Sequence, residues 1–163
     1  MATEYDLHIA SDIDSDSLFR IVEDSLGLDH FHDPEWRSER NPSLVGRSVP
    51  GFILTASVES QMGSETMKEW LGFRPKVVLG FRMRNNDETW PIPYHHMLRA
   101  TSAVLERLPD DAALVLNGET GILIRRGGHV TLSDKPRTFD PEDLAEIRVP
   151  YEIGRVPTAA DAP

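Results

Sequence analysis

Apolar residues along the chain follow two spacings, one typical of strands and the other typical of helices. Residues 76–84 form the clearest strand pattern, because apolar side chains alternate and would face one side of a sheet. Residues 93–108 form the clearest helix pattern, in which Met97, Val104 and Leu108 recur at helical spacing. The same reasoning predicts further strands at residues 4–10, 52–58, 112–116, 121–125 and 129–132. It also predicts helices at residues 15–26 and 65–71, each followed by a glycine.

The order of the long elements is β-α-β-β-α-β-β-β, with the short helix 65–71 added between the second and third strands. Helices are too few for a doubly wound parallel sheet, and the turn pairs Asn117-Gly118 and Gly127-Gly128 join the last three strands as hairpins. We therefore predict an α+β fold, a mostly antiparallel sheet with its two main helices packed on one face, of which a ferredoxin-like variant is one form. The predicted inner face and the residues that cover it are Leu7, Leu79, Phe81, Leu114, Leu18, Ile21, Met97, Val104 and Leu108.

The length of 163 residues favours a single domain, which we assign to residues 1–154. Residues 155–163 are small and rich in proline, so we expect a flexible tail there. Residues 29–50 follow neither spacing and contain three prolines, which predicts a long surface loop.

The composition indicates the cellular compartment of the protein. Cysteine is absent, which excludes a disulfide framework, a thiol nucleophile and a cysteine-ligated metal, and which fits a reducing environment. The first residues lack the basic and apolar regions of a secretory signal, and the apolar runs are too short to span a bilayer. We expect a cytoplasmic protein with no membrane partner.

The charge of the chain is acidic and uneven. Acidic residues number 27 against 17 basic ones, and residues 1–50 alone hold 11 acidic and 4 basic residues. Nucleic acid binding depends on cation-rich surfaces, so we predict no nucleic acid partner. An acidic surface favours encounters with basic proteins, although solubility alone is a sufficient reason for such a charge.

The histidines are the first candidates for metal ligands. His30, His32 and Asp33 lie close together in sequence, but their alternation in a loop differs from the helical spacing that directs two imidazoles at one ion. The adjacent His95 and His96 would point about 100° apart on a helix and would not share an ion. We predict no metal and no cofactor.

The sequence also lacks the motifs of common catalytic sites. It contains neither the Gly-x-Ser-x-Gly turn of hydrolases nor a Gly-x-Gly-x-x-Gly phosphate loop. His8 falls on the polar side of the first strand, where a surface or packed histidine is the simpler interpretation. We predict that the protein is not an enzyme. A small enzyme with a carboxylate–histidine site remains a further option, which a deep cleft holding His8 or His95 beside a carboxylate would favour.

Four segments, taken in order, resemble a known family of small bacterial proteins. They are EYDLHIASDI (residues 4–13), LGFRPKVVLGFRM (71–83), MLRATSAVLERLPDDAALVLNGE (97–119) and ILIRRGGHVTLSD (122–134). The family is that of the immunity proteins of the myxobacterial swarming-inhibition toxins, the third type in that set, with relatives widespread in actinomycetes. The resemblance implies a cytoplasmic protein that binds and blocks a cognate toxin, passed between neighbouring cells, by occlusion. None of the four segments is a catalytic motif.

The loop 29–50 is our predicted partner-binding surface. It combines acidic side chains with an aromatic residue, and tryptophan is enriched in protein interfaces. The residues assigned to this surface are Asp29, Asp33, Glu35, Trp36 and Glu39. A basic toxin would complement them, whereas Trp36 as a structural anchor at an element junction is the alternative.

A second functional class stays open beside the immunity protein. The same fold would serve a non-catalytic protein-binding or regulatory domain, and an exposed final strand would allow a homodimer by edge pairing. A toxin gene next to the gene for this chain would favour immunity.

Overall fold

The computed structural model of the chain describes residues 2–29, 34–84 and 92–163. The strands are β1 (Thr3–Ile9), β2 (Trp36–Arg37), β3 (Val45–Val49), β4 (Phe52–Val58), β5 (Val77–Met83), β6 (Ala112–Leu116), β7 (Thr120–Arg126), β8 (His129–Ser133) and β9 (Glu152–Gly154). The helices are α1 (Ser15–Leu26), α2 (Gln61–Leu71), α3 (Ile92–Arg107) and α4 (Pro141–Ala145), followed by a 3-10 helix at Ala159–Asp161. Within the described ranges the nine strands form one sheet, in the order β2-β3-β4-β5-β1-β6-β7-β8-β9.

The predicted α+β class with a mostly antiparallel sheet is confirmed. β1 lies at the centre, where Leu7 pairs with Leu79 of β5 on one side and with Leu114 of β6 on the other. Among the strand pairs of the described residues, only β8 and β9 run parallel. Strands β4, β5, β1 and β6, together with α1 and α3, form the βαββαβ arrangement that the sequence predicts.

The two main helices, α1 and α3, pack against each other and cover one face of the sheet, which we call the inner face. α1 begins after Asp14, whose side chain accepts a 2.8 Å hydrogen bond from Ser17 N, and it ends at Gly27 in the left-handed conformation. The predicted inner-face residues lie in the main core, with Ile21 and Leu108 at its margin and the others buried.

The third helix, α2, lies on the opposite side of the sheet, which we call the outer face. Trp70 and Leu71 of α2 pack with Ala113, Val115 and Ile124 in a second apolar cluster. Side chains alternate along β6, so Ala113 and Val115 point away from the inner face. α2 begins four residues before its predicted start, because Ser60 Oγ caps it by accepting a hydrogen bond from Gly63 N at 3.0 Å. Because its buried residues contact β6 and β7, α2 covers that end of the outer face.

The prediction of a long surface loop at residues 29–50 is wrong from residue 36 onward. That segment contains β2 and β3, and β3 pairs with β4 along its whole length. Val45 and Val49 belong to the main core. The alternation is interrupted by Gly46, so the sequence pattern of a strand is weak here. The segment is thus part of the sheet and not a loop outside the core.

Residues 155–163, where the sequence predicts a flexible tail, contact the sheet. Val156 is buried in the second cluster, and Gly121 N donates a 3.1 Å hydrogen bond to Pro157 O. Gly121 is required for this approach, because a Cβ there would lie 2.3 Å from the same oxygen. β8, the last strand that the sequence predicts, is covered by β9 and is not an exposed edge.

Candidate functional site

The part of the outer face that α2 leaves open forms a shallow groove of about 390 Å³ across β1, β4 and β5. We call it the outer-face groove. Its wall and floor residues are Glu4, Asp6, Trp36, Leu44, Ile53, Thr55, Gly80, Phe81 and Arg82. These residues come from strands that lie far apart in sequence, so only the strand register brings them together.

Trp36 forms one wall of this groove. It pairs with Gly46 across β2 and β3, and its ring lies so close that a Cβ on Gly46 would be 2.0 Å from a ring carbon. The next residue, Arg37, turns to the other face and donates a 2.7 Å hydrogen bond to Asp16 of α1. Trp36 is nonetheless 40% exposed. It is therefore both held in place by the sheet and available to a partner.

Asp6 lies at the floor of the groove. Gly80 leaves room for it, because a Cβ on Gly80 would lie 2.5 Å from Thr55 Oγ1 and 3.2 Å from Asp6 Oδ1. Among the described residues no hydrogen bond or ion pair reaches the Asp6 carboxylate. Burial raises the pKa of Asp6, and His8 lowers it less than burial raises it, while Glu4 and Glu59 raise it further. Within the described ranges, the Asp6 carboxylate at the floor of the groove therefore has no direct ion-pair partner.

The other charges near the groove are paired. Arg82 Nε lies 3.4 Å from Glu4 Oε1 at the exposed end of β1. His8 is buried, and its Nδ1 lies 3.2 Å from Glu59 Oε2. His8 is thus a packed histidine with a carboxylate neighbour.

Three of the remaining predicted partner residues, Asp29, Glu35 and Glu39, lie in the described part of the chain. Asp29 is exposed, and its backbone oxygen accepts a 2.6 Å hydrogen bond from Arg47 of β3. Glu35 is exposed, and its Oε2 accepts a 3.0 Å hydrogen bond from Ser48 N, which supports the edge strand. Glu39 is exposed. Asp33, like His30 and His32, lies outside the described residues.

A larger cavity, of about 510 Å³, lies on the inner face beside Tyr5 of β1, between the sheet and the segment before α4. Its lining includes Tyr5, Tyr94, Asp140 and Asp143. Tyr94 Oη donates a 2.9 Å hydrogen bond to Thr138 O, and burial raises the pKa of Tyr5 to about 12. The cavity wall therefore combines two neutral phenols and two carboxyl groups with the cationic residues Lys135 and Arg137.

His95 lies behind this cavity, beside one of its acidic residues. His95 Nε2 is 3.0 Å from Asp143 Oδ1, yet neither atom has a hydrogen-bond partner in the described part of the chain. Burial raises the pKa of Asp143. Asp140 completes a group in which one ligand atom of each residue lies within 4.8 Å of the others. His96 is not part of this group, as the sequence predicts for adjacent histidines on a helix.

Comparison with known proteins gives the family. The family described as SitI3-like matches residues 3–143, most of the chain. The chain belongs to the SitI3-like family. SitI names denote immunity proteins of swarming-inhibition toxins, which agrees with the resemblance of the four sequence segments. Searches of curated proteins and of solved structures found no match.

The SitI3-like match includes the whole outer-face groove and reaches Asp143, its last residue. The residues after it, which form β9 and the packed end of the chain, lie beyond the match. Among the described helices, none is long and apolar enough to cross a membrane.

Proposed function

We propose that this protein is an immunity protein that acts in the cytoplasm, where it binds a cognate protein toxin from a neighbouring cell and blocks it without catalysis. Membership of the SitI3-like family carries this proposal, because SitI names denote immunity proteins of toxins. The mechanism is occlusion, in which one antidote covers the active or docking surface of one toxin.

The outer-face groove supports a particular binding surface. An exposed tryptophan at its wall is the type of side chain that dominates interface energies when a partner buries it. Asp6 at its floor and the acidic residues of the adjacent edge favour a partner with basic side chains. We therefore extend the predicted surface of Asp29, Asp33, Glu35, Trp36 and Glu39 to include the groove beside it.

A basic toxin fits this surface in two ways. Complementary charge would speed the encounter, and a lysine or arginine of the toxin entering the groove would compensate the buried carboxylate of Asp6. The aromatic ring of Trp36 would then be covered by the partner, which slows dissociation.

The experiment is co-expression with the toxin encoded next to this chain, scored by survival of the host. Trp36→Ala is expected to lose protection, because truncating a central aromatic anchor costs about 2 kcal/mol or more of binding free energy. Tyr151→Ala is the matched control: Tyr151 is 39% exposed and lies beside β9 at the far edge of the sheet. The Tyr151→Ala variant should protect the host as the natural chain does.

Two measurements keep this test interpretable. The melting temperature of Trp36→Ala shows whether removal of the ring that covers Gly46 weakens the edge of the sheet. A direct binding assay with the purified toxin separates a loss of affinity from a loss of folded protein. Full protection by Trp36→Ala at equal protein level would rule out the groove as the interface. A genome with no toxin gene beside this one would instead favour the regulatory, homodimeric alternative.

A further inference from the structure

Three side chains with metal-ligating atoms converge beside the 510 Å³ cavity, although His95 lies far from Asp140 and Asp143 in sequence. His95 comes from the first turn of α3, while Asp140 and Asp143 come from the start of α4. The donor set of one imidazole nitrogen and two carboxylate oxygens suits a divalent first-row ion.

Backbone hydrogen bonds fix the two carboxylates and leave one oxygen of each for another partner. Asp143 N donates to Asp140 Oδ1 and Asp140 N donates to Asp143 Oδ2, both at 2.8 Å. This reciprocal pair caps α4 and holds both side chains in one orientation. Hydrogen bonds of this kind are what orient the ligands of protein metal sites.

Asp143 gives the observation that separates this group from an ordinary acidic cluster. The residue is only 6% exposed, and its Oδ1 is buried without a hydrogen bond from any described residue. The same holds for His95 Nε2, which faces it at 3.0 Å. The two buried atoms lie 3.0 Å apart, a distance that suits an ion pair and is slightly shorter than the roughly 3.3 Å between ligand atoms around a tetrahedral ion with 2.0–2.2 Å bonds.

We propose that His95, Asp140 and Asp143 bind one zinc ion, whose fourth position opens into the cavity and holds water. The ion would join α3 to the segment that leads into α4, and it would neutralise the two carboxylates. The simpler alternative is an ion pair between a protonated His95 and Asp143, which needs no metal.

The test uses the full chain, stripped with EDTA and then titrated with zinc sulfate at neutral pH by calorimetry. We expect one strong site per chain and a melting temperature that rises by several degrees on zinc addition, because a ligand that binds only the folded state stabilises it. His95→Gln should weaken zinc binding at least about tenfold, as should Asp143→Asn, which keeps an oxygen for the cap of α4.

The controls separate this site from the other histidines of the chain. His96→Gln alters the adjacent residue of the same helix and should bind zinc as the natural sequence does. A double variant at His30 and His32 should do the same. No zinc binding by the natural chain, or equal binding by His95→Gln, would overturn the proposal, as would loss of binding in the His30 and His32 variant alone. Far-UV circular dichroism confirms that each variant is folded.

Discussion

At the scale of single residues, Asp6 occupies a position where a charged carboxylate destabilises the fold. It is partly buried, it accepts no hydrogen bond from the described residues, and Gly80 leaves it the space it fills. Removing a carboxylate from water without a compensating partner is unfavourable. A residue that weakens the fold in this way is typical of a binding site, where stability and function conflict.

We expect Asp6→Asn to raise the melting temperature at about pH 7. Burial raises the pKa of Asp6 in the folded state. At a pH above this raised pKa, the charged carboxylate therefore lowers the free energy of unfolding. The penalty fades as the pH falls through the raised pKa, and the variant should then match the natural chain at about pH 4. The charged and titratable groups around Asp6 are Glu4, His8, Glu59 and Arg82.

Asp14→Ala provides a comparison of opposite sign. Hydrogen bonds from Ser17 lower the pKa of Asp14, so its charged form stabilises the fold at neutral pH and loses that effect on acidification. Removing this cap should cost about 1 kcal/mol at neutral pH. A lower melting temperature for Asp6→Asn at pH 7 would contradict our interpretation of the groove floor.

At the scale of elements, the end of α3 depends on a side chain from another part of the sheet. Arg125 of β7 is buried, and its guanidinium donates 2.7 Å hydrogen bonds to Leu105 O and Asp110 O and a further one to Leu108 O. The last carbonyls of a helix have no partner within the helix, and a cation there also complements the helix dipole. Arg125 thus joins the end of α3 to the sheet.

We expect Arg125→Met to destabilise the protein by about 3 kcal/mol or more, because three carbonyl oxygens would lose charged donors in a buried site. Arg107→Met, in the last turn of α3 but exposed, should change stability by less than about 0.5 kcal/mol. Urea unfolding followed by circular dichroism measures both. Equal effects of the two variants would show that Arg125 stabilises the protein only through its positive charge and not through its hydrogen bonds to the three carbonyl oxygens.

Elements with both a clear spacing and a clear end were predicted to the residue. α1 is an example, since its apolar stripe lies between the cap of Asp14 and Gly27. The strands β3 and β9 were missed because they form by pairing with a neighbour and not by a strong pattern of their own. The same limit applies to the candidate sites. Trp36 could be proposed as a partner residue from its type and its charged surroundings, whereas Asp6 and Gly80 meet only through strand register.

The approach of His95 to Asp143 could not be predicted either. The sequence directs attention to the adjacent His95 and His96, which the helix separates. The carboxylates that face His95 come from α4, a five-residue helix whose start is marked by Asp140 and Pro141. The capping signal was present in the sequence, but nothing in it indicates that α4 packs against the first turn of α3.

At the scale of the whole molecule, the acidic residues of the first fifty positions are divided between two surfaces: those of α1 lie on the inner-face side, whereas Glu4 and Asp6 line the outer-face groove. Residues 1–50 hold 11 acidic and 4 basic residues, and they supply β1, α1, β2 and β3. β1 forms the floor of the groove, while β2 and β3 form its edge. The acids at the groove would favour a basic partner at the surface that we propose for binding.

We expect reversal of charge at this edge to slow the association with the toxin and to flatten its dependence on salt. The variant combines Asp33→Lys and Glu39→Lys with Glu35→Gln, which retains an oxygen for the hydrogen bond from Ser48 N. Charges at the rim of an interface mainly set the association rate, and salt screens them over about 10 Å at 0.1 M. The association rate at low salt should fall by roughly tenfold or more.

A control of equal charge change distinguishes local from global electrostatics. Glu106→Lys, Glu152→Lys and Asp134→Asn shift the net charge by the same amount, and all three residues are exposed and do not line the groove. If the field near the groove directs the toxin, this control should keep most of the association rate and a steep dependence on salt. Stopped-flow association at several sodium chloride concentrations measures both quantities. Equal slowing by the two variants would mean that net charge alone attracts the toxin, and the edge formed by β2 and β3 would then have no special part in the encounter.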